Sequence, residues 1–404
     1  MPPNRLPVSL TDAQIEEFGR ELDAIREEVI DSRGERDRQY ILRLIKIQRS
    51  LALGGRVLIF ASILALPEWG HAYASNALFW LLITLGTLSL GLAKIIENME
   101  IGHNVLHAQW DWMKDDTIQS STWEWDHVCP SDQWMHSHNV RHHTWTNVLG
   151  KDPDIGYGLL RMSGEQRWKP FYLGQPLYAL LLALLFEWGI AIQELELGKF
   201  FTKKGHIEHV RPQLRRTGKK IAAQVRKDYL MWPLLGVVLT LPFTLAGVGP
   251  SLLSVFLWVM AANAVACLLR SLWTYLIIFC GHFPADVYVF TKLQVENETR
   301  GGWYVRQLLA SCNIRGGKLF HVLSGNLSHQ IEHHLFPDLP SNRYPQLAPR
   351  VQALADRYGL PYNSSGLTRQ FGTTLWKIFR LSFPGGGAPR GPNVPNVPNV
   401  PKAA

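Results

Sequence analysis

The segment "SHQIEHHLFP", from Ser328 to Pro337, places three histidines, a glutamine and a glutamate within ten residues. Two similar segments lie earlier in the chain, "HNVLH" beginning at His103 and "HNVRHH" beginning at His138. Residues four apart on an α-helix are separated by about 40° around its axis, so paired histidines at this spacing project from one face. We call the segments beginning at His103, His138 and Ser328 boxes one, two and three. Each box is expected to present a metal-binding edge.

The number of histidines indicates how many ions the boxes hold. Imidazole suits zinc, copper, iron and nickel, and seven or eight imidazoles are too many for one ion. The Glu-x-x-His pattern of carboxylate-rich di-iron bundles is matched from Glu124 to His127 and, by spacing alone, at Glu68–His71 and Glu100–His103. HExxH, GxSxG and P-loop motifs are absent from the sequence. The boxes therefore predict a histidine-rich centre for two metal ions.

Long apolar blocks predict a membrane protein, since a spanning helix needs roughly 20 residues. The loops within each pair of blocks lack Lys and Arg, whereas Lys199 to Lys227 holds ten of them. The positive-inside rule then places the basic segments in the cytoplasm. We expect an all-α integral membrane protein with about four transmembrane helices in two hairpins and a cytosolic helical cap holding the metal site. The blocks are Val57 to Leu66, Ala77 to Ala93, Trp232 to Val248 and Leu252 to Cys280.

A fifth apolar run, Phe171 to Gln193, complicates this topology. A single crossing by this run would put boxes one and two on the opposite side of the membrane from box three. We therefore expect a segment that lies in the interface or enters it only part-way, with Pro176 and Glu187 in support.

Three regions are predicted along the chain. Residues 1–56 form an N-terminal cytosolic helical segment, in which an amphipathic helix over residues 11–49 opens on a capping box of Thr11 and Gln14. Residues 57–384 form the membrane domain. Residues 385–404, with "PNV" three times in succession, form a disordered low-complexity tail.

Composition restricts the partners. The net charge of +8 is compatible with a nucleic-acid partner, yet no helix-turn-helix, zinc-finger or RNA-recognition signature is present. Membrane lipid is therefore the expected acidic partner, and 15 tryptophans suit an interfacial aromatic belt. The four cysteines lack CxxC spacing, which speaks against a disulfide framework or a zinc site.

The boxes and their flanking segments resemble the membrane-bound, eight-histidine fatty acid desaturases and hydroxylases. The resemblance is strongest to bacterial members that desaturate stearoyl-CoA, and it covers roughly residues 10 to 380. The segments that carry it are "KIIENMEIGHNVLHAQWDWM", "STWEWDHVCPSDQW", "TNVLGKDPDIGYG", "FCGHFP" and "GNLSHQIEHHLFPDLPSNRY".

This resemblance implies two iron ions and a specific ligand set. The ligands come from the three boxes and from one isolated histidine after the last span, found here in "FCGHFP". No further catalytic residue and no organic cofactor site is expected. The implied ligands are His103, His107, His138, His142, His143, His282, His333 and His334.

Boxes two and three depart from the family pattern of a histidine, two residues and a histidine pair. Gln330 and Asn139 stand at the expected first positions, and His329 and His138 come one residue earlier. Neighbours on a helix point about 100° apart, so both members of such a pair do not serve one iron equally. Because imidazole is the better ligand, we take His329 and His138 as ligands and place the two amides behind them.

Two further residues are expected to support the centre. Asp154 lies close in sequence to box two and is expected to accept the free N–H of a ligand imidazole. Asn326, three residues before His329, is expected to hold a water on iron.

The implied reaction is the O₂-dependent insertion of a cis double bond into a long-chain acyl-CoA at the 9,10 position. The Gln330 pattern is shared with front-end desaturases, so action at position 6 or 5 stays an alternative, as does an acyl lipid as the carrier. A fatty acid or alkane hydroxylase on the same scaffold is another alternative function. A metal transporter would place its ligands at mid-membrane, whereas the boxes lie outside the apolar blocks.

Electrons must come from a separate protein. The sequence holds no GxGxxG, no iron–sulfur cysteine spacing and no HPGG haem motif. We expect an NAD(P)H-dependent reductase of flavin or ferredoxin type. Lys199 to Lys227 could receive it, or bind the phosphates of coenzyme A or anionic lipid. The expected location is the inner (plasma) membrane, multi-pass, with the active site facing the cytoplasm.

Overall fold

The computed structural model describes residues 6–70, 75–195 and 207–385, with only the backbone of residues 207–210. Apart from Gly385, the predicted disordered tail lies outside the described residues. The described chain is predominantly helical, with two strands of three residues each. The predicted all-α class is therefore confirmed.

The N-terminal segment forms two helices, α1 (Asp12–Asp31) and α2 (Glu35–Leu64). The capping box is present: the Thr11 backbone N–H donates to Gln14 Oε1 at 2.9 Å, and the Gln14 N–H donates to Thr11 Oγ1 at 3.3 Å. The predicted single helix over residues 11–49 is wrong, because Gly34 has φ −174° and ψ −156°, outside the helical region. Helix α2 runs through the boundary predicted at residue 56, so the N-terminal segment and the first span share a helix.

The remaining helices follow α3, which covers Asn76–Ile96. Helical turns of π type occupy Glu97–Gly102, His136–His142 and Arg226–Met231, and such turns are frequent at functional sites. The parallel strands are β1 (Asn313–Arg315) and β2 (Ser364–Gly366). The later helices are α4 (His103–Leu106), α5 (Ser131–Met135), α6 (His143–Trp145), α7 (Gln175–Leu184), α8 (Phe186–Glu194), α9 (Ile207–Val225), α10 (Trp232–Leu245), α11 (Leu252–His282), α12 (Arg300–Ala310), α13 (Lys318–Leu323), α14 (Gln330–Leu335), α15 (Tyr344–Arg357) and α16 (Leu367–Leu381).

Four helical stretches of the described chain are long and apolar enough to cross a membrane, and they form two hairpins in sequence. In the first hairpin, α2 and α3 pack closely at Gly55 and Gly86. A Cβ at Gly86 would lie 2.8 Å from the backbone nitrogen of Ile59, so this crossing requires small residues. The prediction of about four spans is confirmed. The stretches are Glu35–Leu64, Asn76–Leu106, Arg211–Leu245 and Leu252–His282.

The apolar run after box two is bent by 100° between Leu184 and Phe186. Its two helices, α7 and α8, are each about 15 Å long or less, about half of the ~30 Å hydrocarbon thickness. Two spans lie between box two and box three, and these boxes meet, because the rings of His143 and His333 are 4.9 Å apart. An even number of crossings between these boxes fits a bent segment that enters and leaves on the same side, and this course stays a prediction.

The cap has its own apolar core, in which α1 packs on α12. Phe18 and Leu22 of α1 are fully buried against Tyr304 and Leu308 of α12. The same cluster contains Ile331, Leu335 and other buried residues that flank box three. This core fixes the helix that carries box three.

A buried charged network joins the spans to the cap. Lys94 Nζ lies 3.1 Å from an Asp126 carboxylate oxygen and 3.0 Å from one of Asp228. Arg270 of α11 donates to Glu187 of α8 and to the backbone oxygen of Asp126. Buried cations and carboxylates need such pairing, because an uncompensated buried charge costs several kcal/mol.

Candidate metal centre

Eight imidazoles from four separate parts of the chain converge between the spans and the cap. Neighbouring rings lie 4.4 to 5.4 Å apart by centroid, as between His143 and His334 (4.4 Å) and between His142 and His282 (4.9 Å). Seven are buried, and the side chain of His138 is 11% exposed. The eight are His103, His107, His138, His142, His143, His282, His333 and His334.

Their nitrogen atoms fall into groups with metal-site spacing. One group contains His103, His107, His138 and His333, and each offers a nitrogen within 4.8 Å of the others. A second group contains His142, His282 and His334. His143 forms a further group with His333 and His334, so it lies between the two. This arrangement has the form of two adjacent ion sites.

Four rings of the cluster, those of His103, His138, His142 and His333, are held at Nδ1 and leave Nε2 without a partner. The Nδ1 of His142 lies 3.0 Å from an Asp152 carboxylate oxygen, and that of His138 lies 3.4 Å from Asp154. The corresponding distance from His103 to the Asn104 side-chain oxygen is 3.2 Å. Outer partners of this kind fix the tautomer, so that the Nδ1–H donates outward and Nε2 is free as a ligand.

The unpartnered nitrogens test whether the residues fit a metal. Buried polar atoms nearly always have a hydrogen-bond partner, because leaving one unmade costs about 1–3 kcal/mol. In this cluster the Nε2 atoms of six rings have none, and His143 has no partner at either nitrogen. Clustered lone pairs without donors suit bound cations. The six are His103, His107, His138, His142, His143 and His333.

Burial keeps most of these rings neutral, which is the form that binds metal. Desolvation lowers the pKa of His107, His143 and His334 well below the usual range, and neighbouring imidazoles lower it further. Burial also disfavours the charged form of His142, but Asp152 and Asp154 outweigh it and raise the pKa of this ring. His142 therefore keeps a proton on the nitrogen that faces Asp152.

In box three, His329 and Gln330 lie in different surroundings. Helix α14 begins at Gln330, and His329 precedes it with non-helical dihedral angles (φ −97°, ψ 57°). The His329 ring lies against His321, with centroids 4.6 Å apart, and belongs to none of the groups of candidate ligands. Gln330 is buried, and its Nε2 atom lies 3.0 Å from His282 Nε2. The structure thus brings Gln330, and not the predicted ligand His329, into contact with the candidate ligands.

The other predicted supporting residues are found as follows. Asp154 accepts from His138 and also from Gln193 Nε2, at 2.7 Å. Asn139 donates to the backbone oxygen of Leu106 at 2.8 Å, which ties box two to box one. The Asn326 amide donates to Glu100 at 3.1 Å and to Tyr40, so it anchors a buried carboxylate behind box one.

Two residues that hold candidate ligands were not predicted from the sequence. The side-chain oxygen of Gln307 lies 3.2 Å from His334 Nδ1, and its amide donates to the backbone oxygen of His143 at 2.8 Å. The Tyr344 hydroxyl lies 3.4 Å from His333 Nδ1. Both residues lie on helices outside the boxes, and no local motif marks them.

A cavity with a mainly apolar lining adjoins the cluster. It reaches His103 and His138, and its polar lining includes Asn98 and Thr274, which share a 3.0 Å hydrogen bond. The lining also includes the carboxylates of Asp154 and Glu194. The aromatic and aliphatic part of the lining includes Trp125, Trp134, Tyr157, Phe186, Ile190 and Ile278.

Comparison with known proteins identifies the family. The model of the family described as Fatty acid desaturase matches residues 78–366, and the chain belongs to this family. The NADPH-dependent stearoyl-CoA 9-desaturase of Mycobacterium tuberculosis H37Rv is 45% identical over 375 residues, which cover 93% of this chain and 82% of that protein. The family prediction is therefore confirmed, and the chain is a fatty acid desaturase of the membrane.

More distant relatives are also desaturases. The sn-1 linoleoyl-lipid 6-desaturase of Synechocystis is 28% identical, over 69% of this chain and 74% of that protein. Human fatty acid desaturase 3 is 26% identical, over 77% of this chain and 65% of that protein. These relatives favour desaturation over hydroxylation.

Proposed function

We propose that the protein is a di-iron desaturase that inserts a cis double bond at the 9,10 position of a long-chain acyl-CoA. The observation that carries the proposal is the buried cluster of eight imidazoles, most of which turn an unpartnered nitrogen inward. The 45% identity to a mycobacterial stearoyl-CoA 9-desaturase supports the substrate and the position.

The proposed ligands divide between the two irons as the nitrogen atoms do. His103, His107, His138 and His333 would hold one iron. The second would be held by His142, His282 and His334, and His143 would complete the coordination from between the two groups. When bound, the iron pair supplies the O₂ activation and hydrogen abstraction that no protein side chain can perform.

The chain's own groups position the reactants and hold protons. Asp152 accepts from His142 and from the backbone N–H of Asn147 and Asp154, so this carboxylate orients a ligand and braces the loop after box two. The aromatic lining of the cavity would exclude water and confine the acyl chain beside His103 and His138. The position of the chain along this cavity would select the carbons that react.

Front-end desaturation at position 6 is the second candidate. Gln330 beside His282 follows the pattern that suggested it, and a lipid 6-desaturase is among the relatives. That relative is 28% identical, against 45% for the 9-desaturase, so we favour position 9.

We further propose an NADPH-dependent reductase as the electron donor, as the name of the mycobacterial relative suggests. Helix α9 offers a basic surface, because Arg211, Arg215 and Lys219 are exposed. This surface suits an acidic reductase, the phosphates of coenzyme A or anionic lipid. With the basic segments inside, the protein would lie in the inner membrane and its active site would face the cytoplasm.

Expression of the chain in a desaturase-deficient host, with its fatty acids analysed by gas chromatography–mass spectrometry, tests the proposal. A new 9-monoene that disappears in His142→Ala would support it. His136→Ala is the matched control, because His136 belongs to box two's helical turn but is exposed and lies in none of the metal groups.

Other products would overturn specific parts of the proposal. A double bond at position 6 would establish the front-end alternative, and a hydroxy acid would replace desaturation by hydroxylation. The metal content of the purified protein is measured separately, so that a missing electron donor in the host is distinguished from an absent iron site.

A further inference from the structure

Helix α16, which follows the part of the chain matched by the family model, is apolar on two faces. Its inward residues Thr374, Ile378 and Leu381 are buried. Its outward face is exposed and forms a continuous row, since the ring centroids of Trp376 and Phe379 are 5.7 Å apart and those of Phe379 and Phe383 are 5.4 Å apart. The outward residues are Leu375 (43% exposed), Trp376 (61%), Phe379 (49%) and Phe383 (46%).

The helix is firmly fixed at its end. Arg161 donates to the backbone oxygen of Leu381 at 3.2 Å, and Trp168 donates from its indole nitrogen to the oxygen of Ser382 at 2.7 Å. These contacts satisfy carbonyl groups that the end of a helix leaves without partners. The aromatic row is thus presented in a fixed direction.

The depth of α16 follows from its contact with α11. Ile378 shares a buried cluster with Tyr275 and Phe279 of this spanning helix. At 1.5 Å per residue these two residues lie about 35 and 40 Å from Leu252, and a tilt of about 20° shortens the distances along the membrane normal to ~32 and ~38 Å. The hydrocarbon core is ~30 Å thick. If Leu252 marks its far edge, α16 lies at the level of the headgroups.

The neighbouring helix α7 also exposes apolar side chains. Helix α7 packs beside α16, and its Gln175 side chain donates to the backbone oxygen of Ile378. Helix α7 also exposes Leu177 (57%) and Leu180 (55%). It belongs to the bent segment that enters and leaves on one side of the membrane. The exposed row of α16 therefore adjoins another apolar surface at the same level.

We propose that the row Leu375, Trp376, Phe379 and Phe383 docks on the lipid surface, so that α16 is an interfacial membrane helix. Trp and Phe are favoured at this level because their rings sit at the boundary between headgroups and acyl chains. Because Ile378 packs in the same cluster as Phe186, which lines the cavity, docking connects the cavity wall to the bilayer. This role goes beyond desaturation, and its test does not depend on activity.

Spin labelling of the full chain in lipid nanodiscs tests the proposal. A label is attached at Trp376→Cys, and its collision rates with O₂ and with a water-soluble nickel chelate are measured. The control label is at Gln352→Cys, an exposed residue on α15 of the cap. The four native cysteines are buried, so they contribute little label. We expect the O₂-to-nickel ratio at residue 376 to exceed that at residue 352 several-fold.

Two results would overturn the proposal. Equal ratios at the two positions would show that the row faces water. Low accessibility to both reagents, together with dipolar broadening between labels, would show that a second copy of the chain covers it. If Trp376→Cys fails to fold, Phe379→Cys on the same row gives the same comparison.

Discussion

Replacing Asp152 by asparagine is expected to weaken metal binding without unfolding the protein. The Asp152 side chain is 1% exposed, and both of its oxygens face donors. One oxygen accepts the Asp154 N–H at 2.9 Å and the other accepts the Asn147 N–H at 2.7 Å, while His142 Nδ1 lies 3.0 and 3.1 Å from the two. In either orientation, an asparagine amide would set its NH₂ group against one of these N–H donors.

The magnitude follows from the loss of one accepting oxygen and of the negative charge. A hydrogen bond to a charged group contributes about 1.5–3 kcal/mol. Changes in the residue that orients a metal-bound histidine typically lower metal affinity about 10–100-fold, which is about 1.4–2.7 kcal/mol. The two ranges agree, so we expect Asp152→Asn to bind iron about 10–100-fold more weakly.

The assay is competition for iron between the purified protein and a graded series of chelators. Asp338→Asn is the matched control, because Asp338 lies four residues after His334 but is 41% exposed and pairs with Arg26. The control should retain iron as the original protein does. The reasoning would be refuted by unchanged iron affinity in a folded Asp152→Asn protein, or by an equal loss in the control.

Three further predictions concern ligands and packing. Metal analysis should find that His282→Ala lowers bound iron from about two to about one per chain. The His329→Ala protein should keep about two irons per chain. Loss of iron from His329→Ala would instead show that His329 is a ligand. Lys94→Met removes the most buried cation beside Asp126 and Asp228, which keep only the less buried Lys227 and Arg56. It should therefore lower the free energy of unfolding by at most about 3–5 kcal/mol, and an unchanged Tm would contradict this. Gly325 has φ 72°, and a Cβ there would lie 2.2 Å from a backbone oxygen, so Gly325→Ala should lower Tm, whereas Gly317→Ala, with open space around it, should not.

The spans and the boxes were predictable because each is a local pattern. Apolar blocks separated by loops without Lys or Arg gave the two hairpins, and histidine spacing gave the cluster. The break at Gly34 and the continuation of α2 through residue 56 were not predicted. Helical periodicity on both sides of residues 32–34 concealed the break, since it reports which face is apolar and not where the backbone leaves the helix.

The sequence alone could not decide whether His329 or Gln330 faces the other candidate ligands. The angular comparison assumed that both residues lie on one helix, but α14 begins at Gln330 and His329 lies outside it. Box two likewise lies in a π turn, which changes its angular spacing. Gln307 is 164 residues from His143, which it holds, so only the tertiary fold reveals the contact.

The even number of crossings between box two and box three has a consequence for biogenesis. His103 and His107 emerge from the ribosome after the first hairpin, whereas His333 and His334 are made only after the second hairpin is complete. Neither ion site has its full set of nitrogens until both hairpins are inserted and the last box has been translated. Under the proposed di-iron assignment, iron loading would be a late maturation step, and iron-starved cells should accumulate a fully inserted chain that lacks metal.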